Sequence, residues 1–567
     1  MNSLARAAAA CGALLFAPLI FSQTTPPADV IITGESADDD FGWHLAPAGD
    51  VNGDGEPDLI VGAPSNDAVA GFSGRAYLFH GPLPATINAA DADAIISAQA
   101  FGDNLGFAVT SGGDVNGDGF DDLIVGARSN DAGGIQAGRV FLFYGPVSGH
   151  INATSADAIV TGAPFDELGR AVAPAGDPNG DGFDDILIGT DIAGGGFEGQ
   201  VFLFHGPLAG ERLASTADAI ITGSFPNESF GAAVAAGDLN GDGINDVIAG
   251  APRFPLNQAD TGRTYVFYGP ISGSINASEA DAIIFGENLN DAFGRAVAAG
   301  GDLNGDGLED LVAGADQLFN QGNGKAYVFS GPIAGTIFAA DATAILTGEA
   351  SQDLFGHSVA VTGDFNGDGI DDLSVGAPNN GTTAFRAGRA YLFFGPVAGA
   401  IAATNANFIV SGGGGDELGM SVAGGDVNGD GTGDFLIGAP QFTDGAPGYA
   451  ALIFGAPATQ PDLRLEVTPV NGPIVIPPGG GSFRYDLELT NQSDNTRTLD
   501  LWVVLSGPGA NRTVERFART LEPGRKFQRR FALRVPANLS PGIYFVTGNA
   551  GTFPQAEASD RFRFEKQ

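Results

Sequence analysis

Along the first 455 residues the apolar positions fall in short blocks, each closed by glycine, proline or aspartate, and the blocks recur in a fixed order. An aromatic or Leu followed by Gly opens the cycle, as in Phe41-Gly42. A polar stretch follows, then an apolar run such as Leu59-Ile-Val-Gly62. Next comes a strand like Arg75-Ala-Tyr77-Leu-Phe79-His80-Gly-Pro82, and last a short one such as Ala94-Ile-Ile-Ser97 or Ala219-Ile-Ile-Thr222. Four short strands with turn residues between them predict one antiparallel blade per cycle. From Pro461 the cycle stops and strict alternation replaces it. Phe483-Arg-Tyr485-Asp-Leu487-Glu-Leu489 alternates as a half-buried strand should. Similar runs at Leu463 to Val467, Leu499 to Leu505, Phe531 to Val535, Ile543 to Thr547 and Phe562 to Phe564, with a weaker one near Thr513 to Thr520, make about seven strands, the number a β-sandwich uses.

The polar stretch between the first two strands of each cycle carries the chemistry. Asp50-Val-Asn52-Gly-Asp54-Gly-Glu56-Pro-Asp58 places an oxygen-bearing side chain at every second position. The pattern occurs seven times, at starts 64, 63, 61, 64, 62 and 62 residues apart. The side chains at positions 1, 3, 5 and 9 are Asp50, Asn52, Asp54 and Asp58; Asp114, Asn116, Asp118 and Asp122; Asp177, Asn179, Asp181 and Asp185; Asp238, Asn240, Asp242 and Asp246; Asp302, Asn304, Asp306 and Asp310; Asp364, Asn366, Asp368 and Asp372; and Asp426, Asn428, Asp430 and Asp434. The position-7 carbonyls of Glu56, Phe120, Phe183, Ile244, Leu308, Ile370 and Thr432 complete the sets. Glycine at positions 4 and 6 permits the tight curl that lets these oxygens converge. An all-oxygen cage suits a hard cation, and calcium, which accepts flexible coordination, suits it better than magnesium. Asp-Gly turns also occur as plain surface turns. Such a turn, however, does not require the same four donors in seven copies. The first six positions resemble an EF-hand, but the last donor falls at position 9 and a strand follows. Up to seven calcium ions are expected, and Asp54→Ala should remove one while sparing six, since each loop is contiguous.

After the loops come Gly62-Ala-Pro64, Gly126-Ala-Arg128, Gly189-Thr-Asp191, Gly250-Ala-Pro252, Gly314-Ala-Asp316, Gly376-Ala-Pro378 and Gly438-Ala-Pro440. Phe-Gly and Gly-Ala-Pro bracketing an Asp-x-Asn-Gly-Asp-Gly loop resemble the FG-GAP repeat of the integrin alpha-subunit N-terminal region. The resemblance covers residues 29 to 455. It implies an all-β chain whose seven-bladed β-propeller, with calcium-binding loops, spans 29–455, followed by a small β-sandwich at 461–567. This chain departs from the family pattern in keeping all seven loops complete and in altering Gly-Ala-Pro in repeats two, three and five. The C-terminal part looks like the immunoglobulin-like modules appended to bacterial surface proteins.

The seventh repeat stops after Tyr449-Ala-Ala-Leu-Ile-Phe454, its third strand, and Asp29-Val-Ile-Ile-Thr33 matches the missing fourth. Pairing of that segment with Leu452 and its neighbours is expected to close the ring and leave no open edge. The loop faces sort by antiparallel order. Calcium loops share a face with the connections between strands three and four, such as Gly81 to Ala90. The other face gathers irregular segments: Gly34 to Asp40, Ser65 to Ser73, Arg128 to Ala137, Thr190 to Glu198, Arg253 to Thr261, Asp316 to Asn323 and Asn379 to Ala387. Variable loops carry recognition more often than repeated ones, so a protein or glycan ligand is expected on this second face.

Composition changes the picture in three ways. Met1 to about Ser22 has one basic residue, Arg6, ahead of an apolar run, which reads as a signal peptide and predicts a secreted, periplasmic or cell-surface protein. The single cysteine, Cys11, lies within it, so the mature chain is expected to lack disulfides and thiolate chemistry. No stretch approaches the length of a membrane span. Residues 1–460 carry 12 Lys and Arg against 56 Asp and Glu, whereas 461–567 carry 14 against 11. An acidic first region argues against nucleic acid or anionic membrane as partner, even after seven calcium ions are counted. The cluster Arg525, Lys526, Arg529, Arg530 and Arg534 either docks on an acidic surface or is a solvated strand face.

No Gly-x-Ser-x-Gly elbow, His-Glu-x-x-His or phosphate-cradling loop occurs. His80 and His205 fill a repeat slot taken elsewhere by Tyr144, Tyr268, Ser330 and Phe394, and His44, His150 and His357 share no constellation in the sequence. Three functions fit: an exported calcium-stabilised adhesion or ligand-binding module, a propeller-based polysaccharide lyase or glycosidase, or a structural component of an envelope or matrix.

Overall fold

In the computed structural model the chain divides into two compact units, Met1–Ala456 and Pro457–Gln567. The structure describes residues 19–21, 28–98, 100–192, 198–253, 261–318, 321–441, 445–456, 463–470, 475–478, 481–491, 496–507, 510–522, 525–536, 542–552 and 555–566. The leader with Cys11, apart from 19–21, and parts of three irregular segments, 193–197, 254–260 and 319–320, lie outside the described residues. Among the described residues no helix is long and apolar enough to cross a membrane.

The first unit is a β-propeller, built here from five-stranded sheets that repeat one order. In the first, His44–Gly49 pairs antiparallel with Asp58–Ala63, that strand with Arg75–Phe79, and that with Ala94–Ser97. The fifth strand was not expected. Gly149–Asn152, from the following repeat, adds itself parallel to Ala94–Ser97. The stretch read as a plain connection between strands three and four thus holds the strand Thr86–Asn88 and one turn of 3-10 helix, Ala89–Asp91. Each repeat thereby lends a strand to its predecessor.

The second strand of each repeat is buried on both faces, as Asp58–Ala63 shows, because neighbouring sheets cover it on either side. That is why its sequence is a continuous apolar run rather than an alternation. The two motifs that bracket the loop meet between sheets. A Cβ on Gly62 would lie 2.0 Å from the Gly106 carbonyl oxygen, and equivalent contacts join Gly126 to Gly169, Gly314 to Gly356 and Gly376 to Gly419. Glycine is required there because backbone meets backbone. The aromatic of Phe-Gly packs edge-on against a buried third-strand tyrosine: Phe41 on Tyr77 at 5.4 Å, Phe293 on Tyr327 at 5.3 Å and Phe355 on Tyr391 at 5.2 Å. Where Leu105 or Leu168 replaces phenylalanine, Phe141 or Phe202 occupies the tyrosine position.

The ends meet as expected. Val30–Ala37 pairs antiparallel with Pro447–Ile453, Val30 opposite Leu452, and Asp29 accepts a hydrogen bond from the Phe454 amide at 2.9 Å. A Cβ on Gly438 would lie 2.0 Å from the Gly42 carbonyl oxygen, so the last sheet abuts the first as each abuts its neighbour. Leu19–Phe21 runs parallel to Phe408–Ser411, in the fifth-strand place that a following repeat supplies elsewhere.

The second unit has two sheets, a three-stranded one (Leu463–Pro469, Gly481–Asn491, Lys526–Val535) and a five-stranded one that includes Arg497–Gly507, Ala510–Leu521, Gly542–Thr552 and Gln555–Lys566. Its core holds Tyr485, Leu487, Leu501 and Val503, which are inward members of the alternating runs. The basic cluster is largely engaged on its own sheet: Lys526 pairs with Glu488 at 2.6 Å, Arg530 grips Asp486 through two bonds, and Arg529 lies over the Phe531 ring.

Candidate functional site

Each acidic loop links the first two strands of its sheet. Gly53 and Gly55 take positive φ, 75° and 91°, and this turns three amides toward Asp50. Asp50 Oδ1 accepts from the Gly53 and Asp54 amides at 2.7 and 3.1 Å, and Oδ2 from Gly55 at 2.9 Å. Asn52 Oδ1 accepts from the Asp54 amide, and Asp54 Oδ1 from Glu56. Asp114, Asp177, Asp238, Asp302, Asp364 and Asp426 each accept from their own position-5 and position-6 amides in the same way. The position-9 carboxylate is fully buried: Asp58 takes the Val51 amide on one oxygen and the Gly81 amide on the other, both at 3.0 Å.

The donor set fits a hard cation. Burial, with the position-5 carboxylate adding to it and, except at Asp372, the position-1 carboxylate as well, pushes Asp122, Asp185 and Asp372 up to about 7 and Asp246, Asp310 and Asp434 up to about 6. Among the described residues no Lys or Arg pairs with a loop carboxylate; only His205 approaches one, Asp185, at 3.7 Å. In this conformation no three Asp, Glu, His or Cys side chains are already drawn into a chelating cluster among the described residues. The remaining donors are an Asn oxygen and a backbone carbonyl.

Position 8 escaped the sequence reading. Asp121 Oδ2 accepts from the Asp50 amide at 2.7 Å, Asp184 from Asp114 at 2.8 Å, Glu309 from Asp238 at 2.8 Å and Asp371 from Asp302 at 2.8 Å. Four of the seven loops thus hold the first residue of the loop before them through a position-8 carboxylate. The signal was available: position 8 is Asp, Asn or Glu in five of the seven loops.

The opposite, irregular-loop side carries the propeller's axial pocket, a cavity of about 480 Å³. The residue after each Phe-Gly or Leu-Gly reaches it: Trp43, Phe107, Arg170, Ala232, Arg295, His357 and Met420. Arg128, in the proline place of its Gly-Ala-Pro triplet, and Arg253, which follows one, join them. His44 and His357, without a shared constellation in the sequence, line the same pocket. Arg170 Nε lies 3.0 Å from Asp191, while Asp316 is shared between Arg295 at 3.5 Å and His357 Nδ1 at 3.2 Å. Arg128 stacks 4.0 Å above the Phe107 ring and stands 3.7 Å from Glu167. The altered triplets of repeats two, three and five therefore place Arg128, Asp191 and Asp316 around the axis. Burial lowers the pKa of Arg295, and repulsion from Arg170 and Arg253 lowers it further against the pull of Asp316. Burial holds His44 down at about 4, and burial with Arg295 lowers His357, so both imidazoles are neutral at pH 7.

A larger cleft of about 570 Å³ lies off the axis between two sheets. Its polar groups are already engaged: Asp166 accepts from the Ala163 amide at 2.8 Å, and Gln200 donates to Thr222 at 3.0 Å. The axial pocket concentrates charge and aromatic surface, and the cleft does not.

The FG-GAP repeat family matches residues 41–79, 105–143, 230–267, 293–329, 355–393 and 418–453. Similar proteins are integrin alpha pat-2 of Caenorhabditis briggsae, 31% identical over 231 residues, and integrin alpha-5 of Xenopus laevis, 28% identical over 229; each match covers 38% of this chain. Integrin alpha-IIb of Mus musculus is 34% identical over 162 residues, 26% of this chain. The matched stretches cover only 18%, 20% and 15% of those relatives. A solved CARDB domain from Pyrococcus furiosus is 15% identical over 19% of this chain and 89% of its own, with a TM-score of 0.16, a likeness too slight to weigh.

Proposed function

Starting from an FG-GAP repeat protein, similar through its repeats to integrin alpha subunits, we propose an exported ligand-binding or adhesion module whose seven-bladed propeller is braced by calcium on one face and binds its ligand at the axial mouth of the other. One observation carries the reading. Seven equivalent positions, one per repeat, surround the axis, and they hold seven side chains of six kinds. A position serving only the scaffold would repeat, as the glycines before it do. All but Ala232 of the side chains gathered there are large, charged or aromatic, which a void between sheets does not need.

Calcium fits the loops on the other face. Asp50, Asn52, Asp54 and Asp58, the Glu56 carbonyl and their six sets of counterparts would hold the ions. A divalent charge there would offset the clustered carboxylates and tie the first two strands together. Export is supported by the apolar leader and by the absence of cysteine after Cys11.

The test is incubation of the purified protein, with calcium and then with EDTA, against polysaccharides and intact cells, measuring bound protein and released sugar together. Calcium-dependent binding without release is expected. Release of oligosaccharide would make the chain an enzyme, and self-association without a ligand would make it a structural component; either overturns the proposal.

A further inference from the structure

The charge of the axial pocket runs against the rest of its unit. Before residue 460 the chain carries only 12 Lys and Arg, and four of them, Arg128, Arg170, Arg253 and Arg295, line this one cavity, with no carboxylate lining it among the described residues. The nearby acids offset three of the four guanidinium charges and leave the group net positive. Asp191 and Glu167 each engage one arginine, Asp316 divides itself between Arg295 and His357, and Arg253 is exposed with no carboxylate at ion-pair distance among the described residues. Asp191 and Asp316 keep only 12% and 3% of their side chains exposed, so they sit behind the guanidinium groups and aim them. Arg128 Nε is buried without a hydrogen-bond partner.

Beside this charge stands an aromatic shelf. Trp43 and Phe107 lie 5.4 Å apart, tilted by 44°, and both remain partly exposed to the cavity. A bare oxyanion has no use for an aromatic shelf, and the cavity, within the ~300–1,000 Å³ of small-molecule sites, is far larger than one. Guanidinium forks match the planar carboxylate through paired hydrogen bonds. An indole face takes the flat C–H side of a sugar ring. A ligand that presents both features in one unit is a sugar acid.

Resting on the ligand-binding reading above, we propose that the axial pocket binds a carboxylated sugar residue, its carboxylate held among Arg128, Arg170, Arg253 and Arg295 and its ring laid on Trp43 and Phe107. Specificity follows from the arrangement: a neutral sugar would leave Arg253 without a counter-charge, and an aliphatic carboxylate would leave the shelf bare.

The test is calorimetric titration of the calcium-loaded full chain, at low salt, with a uronic acid disaccharide, its neutral counterpart, a sulfated counterpart and inorganic sulfate. Binding of the uronate and not of the neutral sugar is expected. Affinity should fall roughly 10- to 100-fold in Arg170→Gln, the loss of a charge-assisted hydrogen bond. Arg253→Gln, at an exposed position that leaves the fold intact, and Trp43→Ala should each weaken it as well. Equal binding of the neutral sugar, or uronate binding unchanged in all three variants, overturns the proposal. Sulfate alone binding as tightly as the disaccharide makes this a plain oxyanion site and also overturns it. Tighter binding of the sulfated sugar transfers the site to sulfate esters and refutes the carboxylate assignment. If uronate fails to bind while Arg253→Gln abolishes attachment to cells, the ligand module stands and only the sugar-acid inference falls; if the chain attaches to nothing, both fall.

Discussion

Exchanging calcium for EDTA is the perturbation with the largest expected effect, because it acts on seven loops at once. At extracellular-type affinities of about 10⁻⁴ to 10⁻³ M, about 2 mM free calcium would stabilise each proposed site by roughly 0.7–1.8 kcal/mol through mass action. Seven sites together contribute roughly 5–13 kcal/mol. A repeat unit of about 430 residues unfolds with an entropy near 0.9 kcal/mol per degree, so the melting temperature should drop by roughly 5–14 °C. The C-terminal unit contains no such loop and supplies an internal control. Differential scanning calorimetry should show the repeat-unit transition moving down in EDTA and returning when calcium is restored, while the transition of the other unit stays in place. The loop composition gives the reason: each hairpin carries three carboxylates within nine residues, and no Lys or Arg among the described residues offsets them. A repeat-unit transition that does not move, on protein shown by metal analysis to have been stripped of calcium, would refute the reasoning.

Two further outcomes separate the links in this account. Asp54→Ala should remove one ion and leave six, since the hydrogen bonds of Asp54 stay within its own loop, whereas Asp184→Ala removes the bond to the Asp114 amide and should cost about 1.5–3 kcal/mol while loosening calcium in the neighbouring loop; ion counting on both variants checks this, and independent loops would leave the second variant with seven equal sites. His44, which accepts the Val109 amide on Nδ1 at 3.4 Å and is held at about 4, titrates near 6.5 once unfolded, so its contribution is complete above pH 6.5 and lost as pH falls toward 4, a change of about 2–3 kcal/mol. Denaturant titration at saturating calcium should show the wild type losing that much more stability than His44→Asn across the window, and parallel curves would exclude it.

Most of the repeat unit could be read from residues because its devices are local. A loop that must curl needs glycine at positions 4 and 6, and Gly53 and Gly55 indeed take positive φ. A strand sandwiched between sheets must be apolar throughout, and Leu59-Ile-Val61 is. Even the closure was legible, since a fourth-strand text at Asp29 to Thr33 had no other place to pair. The shared fifth strand was hidden, because Gly149–Asn152 and its equivalents are mostly exposed and at most four residues long, and their pairing depends on the neighbouring sheet.

The axial pocket belongs wholly to the folded ring. Trp43, Phe107, Arg170, Arg295 and His357 stand one or two repeats apart along the chain, and each is an ordinary residue after a glycine. Order along the chain is enough to specify blades, loops and closing strand, because each arises from neighbours a few residues away or from one matching segment. Convergence is different in kind: equivalent positions meet at an axis only once every sheet has packed on the next, and only then do four arginines in an acidic protein line one cavity.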